Sequence, residues 1–257
     1  MDLELSGSVV LVTGGTDGLG AALADKLVAE GAAVAACGRD PDRLTSTQAR
    51  LDAAGGDALV MAADVTQPDA LAAFVAAAVD RWGRIDGLVN NAGQSSGGPI
   101  ESVTDDAWEA DLDLKVMAAV RLTRLALPHL RASGRGAIVN VLNVGAKAPG
   151  AGSLPTTASR AAGLAITKAL SKELGPDNVR VNAILVGLVE SGQWRRRAEA
   201  SGQPLDEVYA QLNRGIPLGR VGRAEEFADV AAFLLSARSS HVTGSALNLD
   251  GGSSPAI

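Results

Sequence analysis

Along the chain, short apolar runs alternate with longer segments whose apolar residues recur at helical spacing. The runs fall at residues 9–12, 33–37, 58–62, 87–89, 137–141, 180–184 and 245–249. The longer segments cover 18–30, 40–54, 68–81, 105–132, 155–174 and 224–236. Strands that are apolar throughout and alternate with helices predict a parallel sheet covered on both faces. The right-handed crossover rule then leaves a doubly wound α/β sheet of about seven strands as the simplest topology. No linker divides the chain, which predicts one domain over residues 1–257. Residues 188–219 break the rhythm, with weak periodicity and several prolines and glycines. That segment is either a lid over a site or a surface excursion.

Composition narrows the picture. Hydrophobic residues make up 47% of the 257, but aromatics only 3%, so core packing falls to Ala, Val and Leu. A net charge of -6 gives no basic face for nucleic acid, and the arginine run at 195–197 is too short to supply one. With Cys37 as the one cysteine, an internal disulfide is impossible. The opening MDLELSGSVVLV lacks a basic flank and reads as a first strand, and no apolar stretch approaches the roughly 18 residues of a membrane span. These features predict a soluble, cytoplasmic protein without nucleic-acid or membrane partners.

Candidate chemistry begins where the first strand ends. It runs straight into Thr13-Gly14-Gly15-Thr16-Asp17-Gly18-Leu19-Gly20 and then into a helix. Glycines there permit a tight turn and close backbone approach, and the helix start offers N–H groups and a positive dipole end to a pyrophosphate. Between a strand and a helix, this pattern predicts a Rossmann-like dinucleotide site.

The loop TGGTDGLG resembles the TGxxxGxG loop of the short-chain dehydrogenase/reductase family. Asp64-Val65 resembles the family's adenine-contacting pair, and Asn90-Asn91-Ala92-Gly93 matches its NNAG turn. The ending PLGRVGRAEEFADVAAFLLS…VTGSALNLDGG is similar to the family's last helix, last strand and DGG turn. The resemblance thus spans essentially the whole chain. It implies a nicotinamide cofactor held by Gly14, Thr16, Asp17, Gly18, Leu19, Gly20, Asp64, Val65, Asn91, Ala92 and Gly93, with Arg160, Gly187 and Val189 at the nicotinamide end. Where the family carries an acid for the adenosine ribose, this chain has Gly38 and then Arg39, which is either a partner for a 2′-phosphate or a solvated loop residue. NADP(H) is therefore favoured over NAD(H), although Asp17 occupies a position that is often basic in NADP-binding relatives. Relatives are usually dimers or tetramers, so the resemblance also implies a homo-oligomer, with homotetramer the form expected.

The family's catalytic set is Ser, a Tyr thirteen residues on, a Lys four further, and an Asn on the preceding helix. GAIVNVLNVGAKAPG resembles the family's GRIVNVSSVAG and puts Asn143 at the serine. LPTTASRAAGLAITKALSKEL resembles its YSASKAAL helix and puts Thr156 at the tyrosine and Arg160 at the lysine, thirteen and four residues apart as required. Lys115 falls at the asparagine, and Val186-Gly187 replaces the usual Pro-Gly. All four catalytic positions are changed, and the one tyrosine, Tyr209, lies in the candidate lid. A threonine hydroxyl has no pKa near neutrality, and a guanidinium does not give up its proton. Asn143 can still hydrogen-bond an oxyanion. Lys115 either moves a proton, helped by burial and the charge of Arg160, or pairs with Asp111 or Asp113, or faces solvent.

Asp105, Asp106, Asp111 and Asp113 flank a helix start, where they favour its dipole. Trp194 and Tyr209 either contact substrate or pack the lid, and His129 and His241 are too far apart in sequence to form a metal motif. Three functions compete: an NAD(P)(H)-dependent oxidoreductase of a carbonyl/alcohol pair on a small to medium substrate, a non-redox lyase, aldolase or isomerase, and a cofactor-binding protein without turnover. One scaffold can host all three.

Overall fold

The computed structural model describes residues 2–257, except for the side chains of residues 193 and 195–197, so the basic run singled out above lies outside the described side chains. In chain order the elements begin with β1 Val9–Thr13, α1 Gly18–Ala29, β2 Ala33–Gly38, α2 Pro41–Ala53, β3 Ala58–Ala62, α3 Pro68–Trp82 and β4 Gly87–Asn90. Next come β5 Gly97–Gly98, α4 Asp105–Leu112, α5 Ala118–Ala132, β6 Ala137–Asn143, β7 Leu154–Pro155 and α6 Thr156–Glu173. The chain closes with β8 Arg180–Val186, α7 Gly192–Ser201, α8 Leu205–Asn213, α9 Ala224–Leu235 and β9 Ala246–Leu249.

Seven strands form one parallel sheet in the order β3-β2-β1-β4-β6-β8-β9. Alternate residues of β1 supply opposite faces, because successive strand side chains point to opposite sides. Val10 and Val12 join Leu23, Leu27 and Phe227 in one core. Val9 and Leu11 join Phe74, Leu88, Leu122 and Leu130 in the other. The strand order reverses beside β1, and in such sheets ligands bind at that crevice, outside the strands' C-terminal ends. Among the described residues no helix is long and apolar enough to cross a membrane.

Two stretches differ from the pattern reading. The single helix expected over 105–132 is interrupted by a π turn at Asp113–Met117, whose extra residue per turn a hydrophobic period cannot register. Residues 188–219 are not irregular but hold α7 and α8. The polar sequence of α7 offers no apolar period to read, and Gly202, at φ +67°, stops it. Finally, β5 pairs antiparallel with β7, which fastens the loop after β4 beside the start of α6.

Candidate active site

The chain leaves β1 through Gly14 at φ +63° and enters α1 at Gly18 with φ +51°, left-handed conformations that favour glycine. A Cβ on Gly20 would stand 2.6 Å from Asn91 Nδ2, so the helix start packs directly on the turn after β4. Thr13 staples that turn to the glycine loop: its Oγ1 accepts from the Asn91 and Ala92 N–H groups, both at 3.0 Å. Asn91 Nδ2 donates in return to the Thr13 and Gly14 carbonyls at 2.8 and 3.2 Å. Asp17 at the N-cap makes no side-chain bond to the helix, so the opening N–H groups of α1 remain available to an anion. Gly14, Thr16, Gly18, Leu19 and Gly20 all belong to this cradle.

At the exit of β2, Arg39 is 72% exposed and lies 3.6 Å from Asp64. The backbone N–H and hydroxyl of Thr66 hold the Asp64 carboxyl low, at 3.0 and 2.8 Å, with burial opposing. Val65 beside it is buried. Arg43 of α2, which pattern reading passed over, reaches Asp17 at 2.6 Å. The acid that counted against a 2′-phosphate is thereby neutralised. Two guanidiniums with glycine rather than a carboxylate at the end of β2 fit a dinucleotide bearing that phosphate. At the opposite end, Gly187 backs onto Asp250, where a Cβ would approach to 2.6 Å. Val189 pairs with Gly222 and accepts the Trp194 indole N–H at 3.0 Å, so Trp194 has a packing bond of its own.

Beyond the cradle, Lys115, Thr156, Arg160 and Asn143 lie at the C-terminal side of the sheet. The π turn carries Lys115, whose side chain is 0% exposed and forms an ion pair with Asp111 one turn earlier. Its ammonium donates to Thr156 Oγ1 at 2.8 Å. Thr156 Oγ1 donates in turn to the Ser96 carbonyl at 2.5 Å and accepts the Ser96 N–H at 2.9 Å. Ser96 Oγ donates to Asp111 Oδ1 at 2.6 Å. Asp111 thus belongs to the site, where its bonds to side chains outweigh any service to the helix dipole. Arg160 crosses from α6 to donate to the Val141 carbonyl at 2.7 Å, with its guanidinium against Gly93 of the NNAG turn.

Charge follows from these contacts. Burial pushes the Asp111 carboxyl up, but hydrogen bonds from Lys115, Ser96 and Ser159 prevail and hold it below its ordinary value. Burial lowers Lys115, Asp111 opposes, the charge of Arg160 lowers it further, and the net direction is down. Burial brings Arg160 to about 10, with Asp111 opposing, which leaves it charged at neutral pH.

Among the described residues, three buried side-chain polar atoms have no hydrogen-bond partner: Asp111 Oδ2, Asn143 Oδ1 and Arg160 Nε. Asp111 and Arg160 belong to this constellation and Asn143 ends β6; open bonds on buried polar atoms are what a ligand would complete. Tyr209 lies elsewhere, lining an open cavity of about 470 Å³ with Glu190, Asn213, Arg220, Val221 and Arg223. The sequence reading thus missed Thr13, Arg43 and Ser96; for Asp111 it offered both the helix dipole and the pairing with Lys115, and the structure shows the pairing. Only Asp111 carried a local signal, its four-residue spacing from Lys115 on one helix face.

Residues 14–254 match the family model described as enoyl-(acyl carrier protein) reductase. The short-chain reductase protein NovJ of Streptomyces niveus is 36% identical over 95% of this chain and 93% of its own length. A short-chain oxidoreductase of Pseudomonas aeruginosa PAO1, solved with NADPH and described as containing an atypical catalytic center, is 38% identical. It superposes with a TM-score of 0.92 over 97% of this chain and 98% of that one. The L-sorbose reductase of Gluconobacter frateurii, solved with NADPH and L-sorbose, is 33% identical with a TM-score of 0.95 over 100% of both chains. With this sheet order, this glycine cradle and these relatives, the chain belongs to the short-chain dehydrogenase/reductase family.

Proposed function

We propose that the protein is an NADP(H)-dependent reductase of a carbonyl group on a small to medium organic substrate, in which Lys115 supplies the proton and Thr156 passes it on. The observation that carries this is the 2.8 Å bond from Lys115 Nζ to Thr156 Oγ1 at the position of the family's tyrosine. NADPH binding in the Pseudomonas and Gluconobacter proteins and the Arg39–Arg43 pair support the choice of cofactor.

Bound NADPH would supply a hydride to the carbonyl carbon. The protein must then handle the oxygen, which keeps the former π pair and needs a proton. Asn143 can orient that oxygen through its amide N–H groups, and Arg160 adds a fixed positive charge while reaching toward the nicotinamide ribose. Thr156 is only 4% exposed, so the substrate oxygen meets its hydroxyl when the Ser96 carbonyl gives up its bond. The hydroxyl turns about its Cβ–Oγ bond, gives its proton to the oxygen, and takes one from the Lys115 ammonium in the same step. Lys115 is left as a neutral amine, and the product is an alcohol. Because Thr156 never has to exist as an alkoxide, its high pKa is no obstacle. In this proposal α7 and α8 form the lid over the substrate.

An aldolase-like role for Lys115 would require an amine open to a substrate carbonyl. Its fully enclosed, carboxylate-paired side chain does not provide one. Single-turnover absorbance of enzyme-bound NADPH, challenged with a broad panel of aldehydes and ketones, tests the proposal. Loss of the NADPH signal with at least one of them is expected. Tight binding with no oxidation by any would overturn it.

A further inference from the structure

The Lys115–Asp111 pair is enclosed, and buried ion pairs of this kind are commonly no more stable than apolar side chains of the same volume. Its geometry is directional. One carboxylate oxygen, Oδ1, accepts from both Lys115 and Ser96 Oγ, and Ser96 also holds Thr156 through its backbone N–H. Carboxylate, ammonium and hydroxyl therefore form a closed ring with Ser96, and Thr156 is its member at the position of the family's tyrosine. The neighbouring acid, Asp113, is engaged elsewhere, accepting from Arg121 at 2.7 Å.

We propose that Asp111 is a positioning residue of the reductase: it keeps Lys115 protonated and aimed at the Thr156 hydroxyl. This rests on the function proposed above, in which Lys115 is the proton source.

The groups around the lysine make the role specific. From α4 it faces Asp111, and from α6 it faces Arg160 together with the uncharged Thr156. The cavity of about 30 Å³ that Lys115 also lines takes Asn90 from β4 and Asn140, Val141 and Leu142 from β6, none of them charged. Among these, Asp111 is the only one whose charge favours the ammonium, while burial and Arg160 favour the neutral amine. A neutral amine has no proton to pass to Thr156. Without Asp111, none of these groups opposes the burial and the Arg160 charge that favour the neutral amine.

Lysine side-chain NMR of the full chain without nucleotide tests this directly, with the Lys115 signal identified by its loss in Lys115→Met. In Asp111→Asn that signal is expected to titrate about one pH unit or more below wild type, a roughly tenfold change in the protonated fraction. The alkaline limb of NADPH oxidation should move down in parallel, so activity lost at high pH returns at lower pH, while NADPH affinity stays level. Asp111→Glu, which keeps the charge, should restore most of the wild-type titration. Should Asp111→Asn fail to fold, Asp111→Ser carries the same measurement. In wild type, moreover, the Lys115 ammonium protons should exchange slowly with solvent, and rapid exchange would overturn the assignment. An unmoved Lys115 titration in folded Asp111→Asn also overturns it, and leaves the reductase function standing. A moved titration with an unmoved alkaline limb instead removes Lys115 as the proton source and leaves the electrostatic role of Asp111 intact.

Discussion

The nucleotide cradle and the proposed proton-transfer cluster sit at the same edge of the sheet but are made of different materials. The cradle is backbone: left-handed glycines, opening helix N–H groups and a turn held by Thr13. A side chain added at Gly20 has nowhere to go. The cluster is made of side chains delivered by four separate pieces of chain, namely the loop after β4, α4, the π turn and α6. Side chains can be exchanged one at a time without disturbing the strands that carry them. The difference shows how a scaffold could keep its cofactor while its acid is replaced, because only the cofactor site is written into the main chain.

The largest effect that would sharpen this contrast is on Lys115. Removing a positioned proton donor costs roughly 10²–10⁴ in rate, so Lys115→Met should lose that much turnover while NADPH affinity hardly changes. The single variant strands the Asp111 charge in the interior, at a cost of about 3–5 kcal/mol. The double variant Asp111→Asn/Lys115→Met removes that burden and should be thermally more stable yet equally inactive. Steady-state kinetics and melting curves of both, beside Thr156→Val, separate lost chemistry from lost fold. Wild-type turnover in either lysine variant would break the contrast outright.

The same difference explains what could be read from the sequence. Alternating runs give the seven strands of the sheet, and TGGTDGLG between β1 and α1 gives the cradle, because glycine requirements are local. Resemblance to the family's motifs places Asn143, Thr156 and Arg160 by number but cannot say what fills the space between them. That Ser96 reaches Asp111 depends on β5 pairing with β7, two residues each, far below what any periodicity registers. Arg43 was invisible for the same reason: its meeting with Asp17 is a contact between α2 and the glycine loop, set by the packing of one helix. The π turn hid behind an unbroken amphipathic pattern, and α7 behind a polar one.

A smaller effect is expected at the adenosine end, where the cradle does use side chains. A charge-assisted bond to phosphate contributes about 1.5–3 kcal/mol, so Arg39→Ala and Arg43→Ala should each weaken NADPH roughly 10–100-fold. NADH, held by the same backbone, should bind as before. Arg43→Ala should be the more damaging, since it also removes the guanidinium held 2.6 Å from Asp17 beside the incoming phosphate. Titration of both dinucleotides against both variants measures this. Equal losses for NADPH and NADH would mean that the arginines shape the loop and do not read the phosphate.

The smallest expected effect is the most demanding of the mechanism. Thr156→Ser keeps the hydroxyl that takes the Lys115 proton and gives up only a buried methyl group. A methyl lost from a packed interior costs about 1 kcal/mol, or roughly 2–4 °C in melting temperature for a chain of this size. Turnover should nonetheless stay within about threefold of wild type, because a relay needs an oxygen with one mobile proton and nothing from the methyl. Melting temperature and turnover are thus predicted to separate in this variant and to fall together in Thr156→Val. If serine is as inactive as valine, the threonine is filling space and the proton reaches substrate by another route.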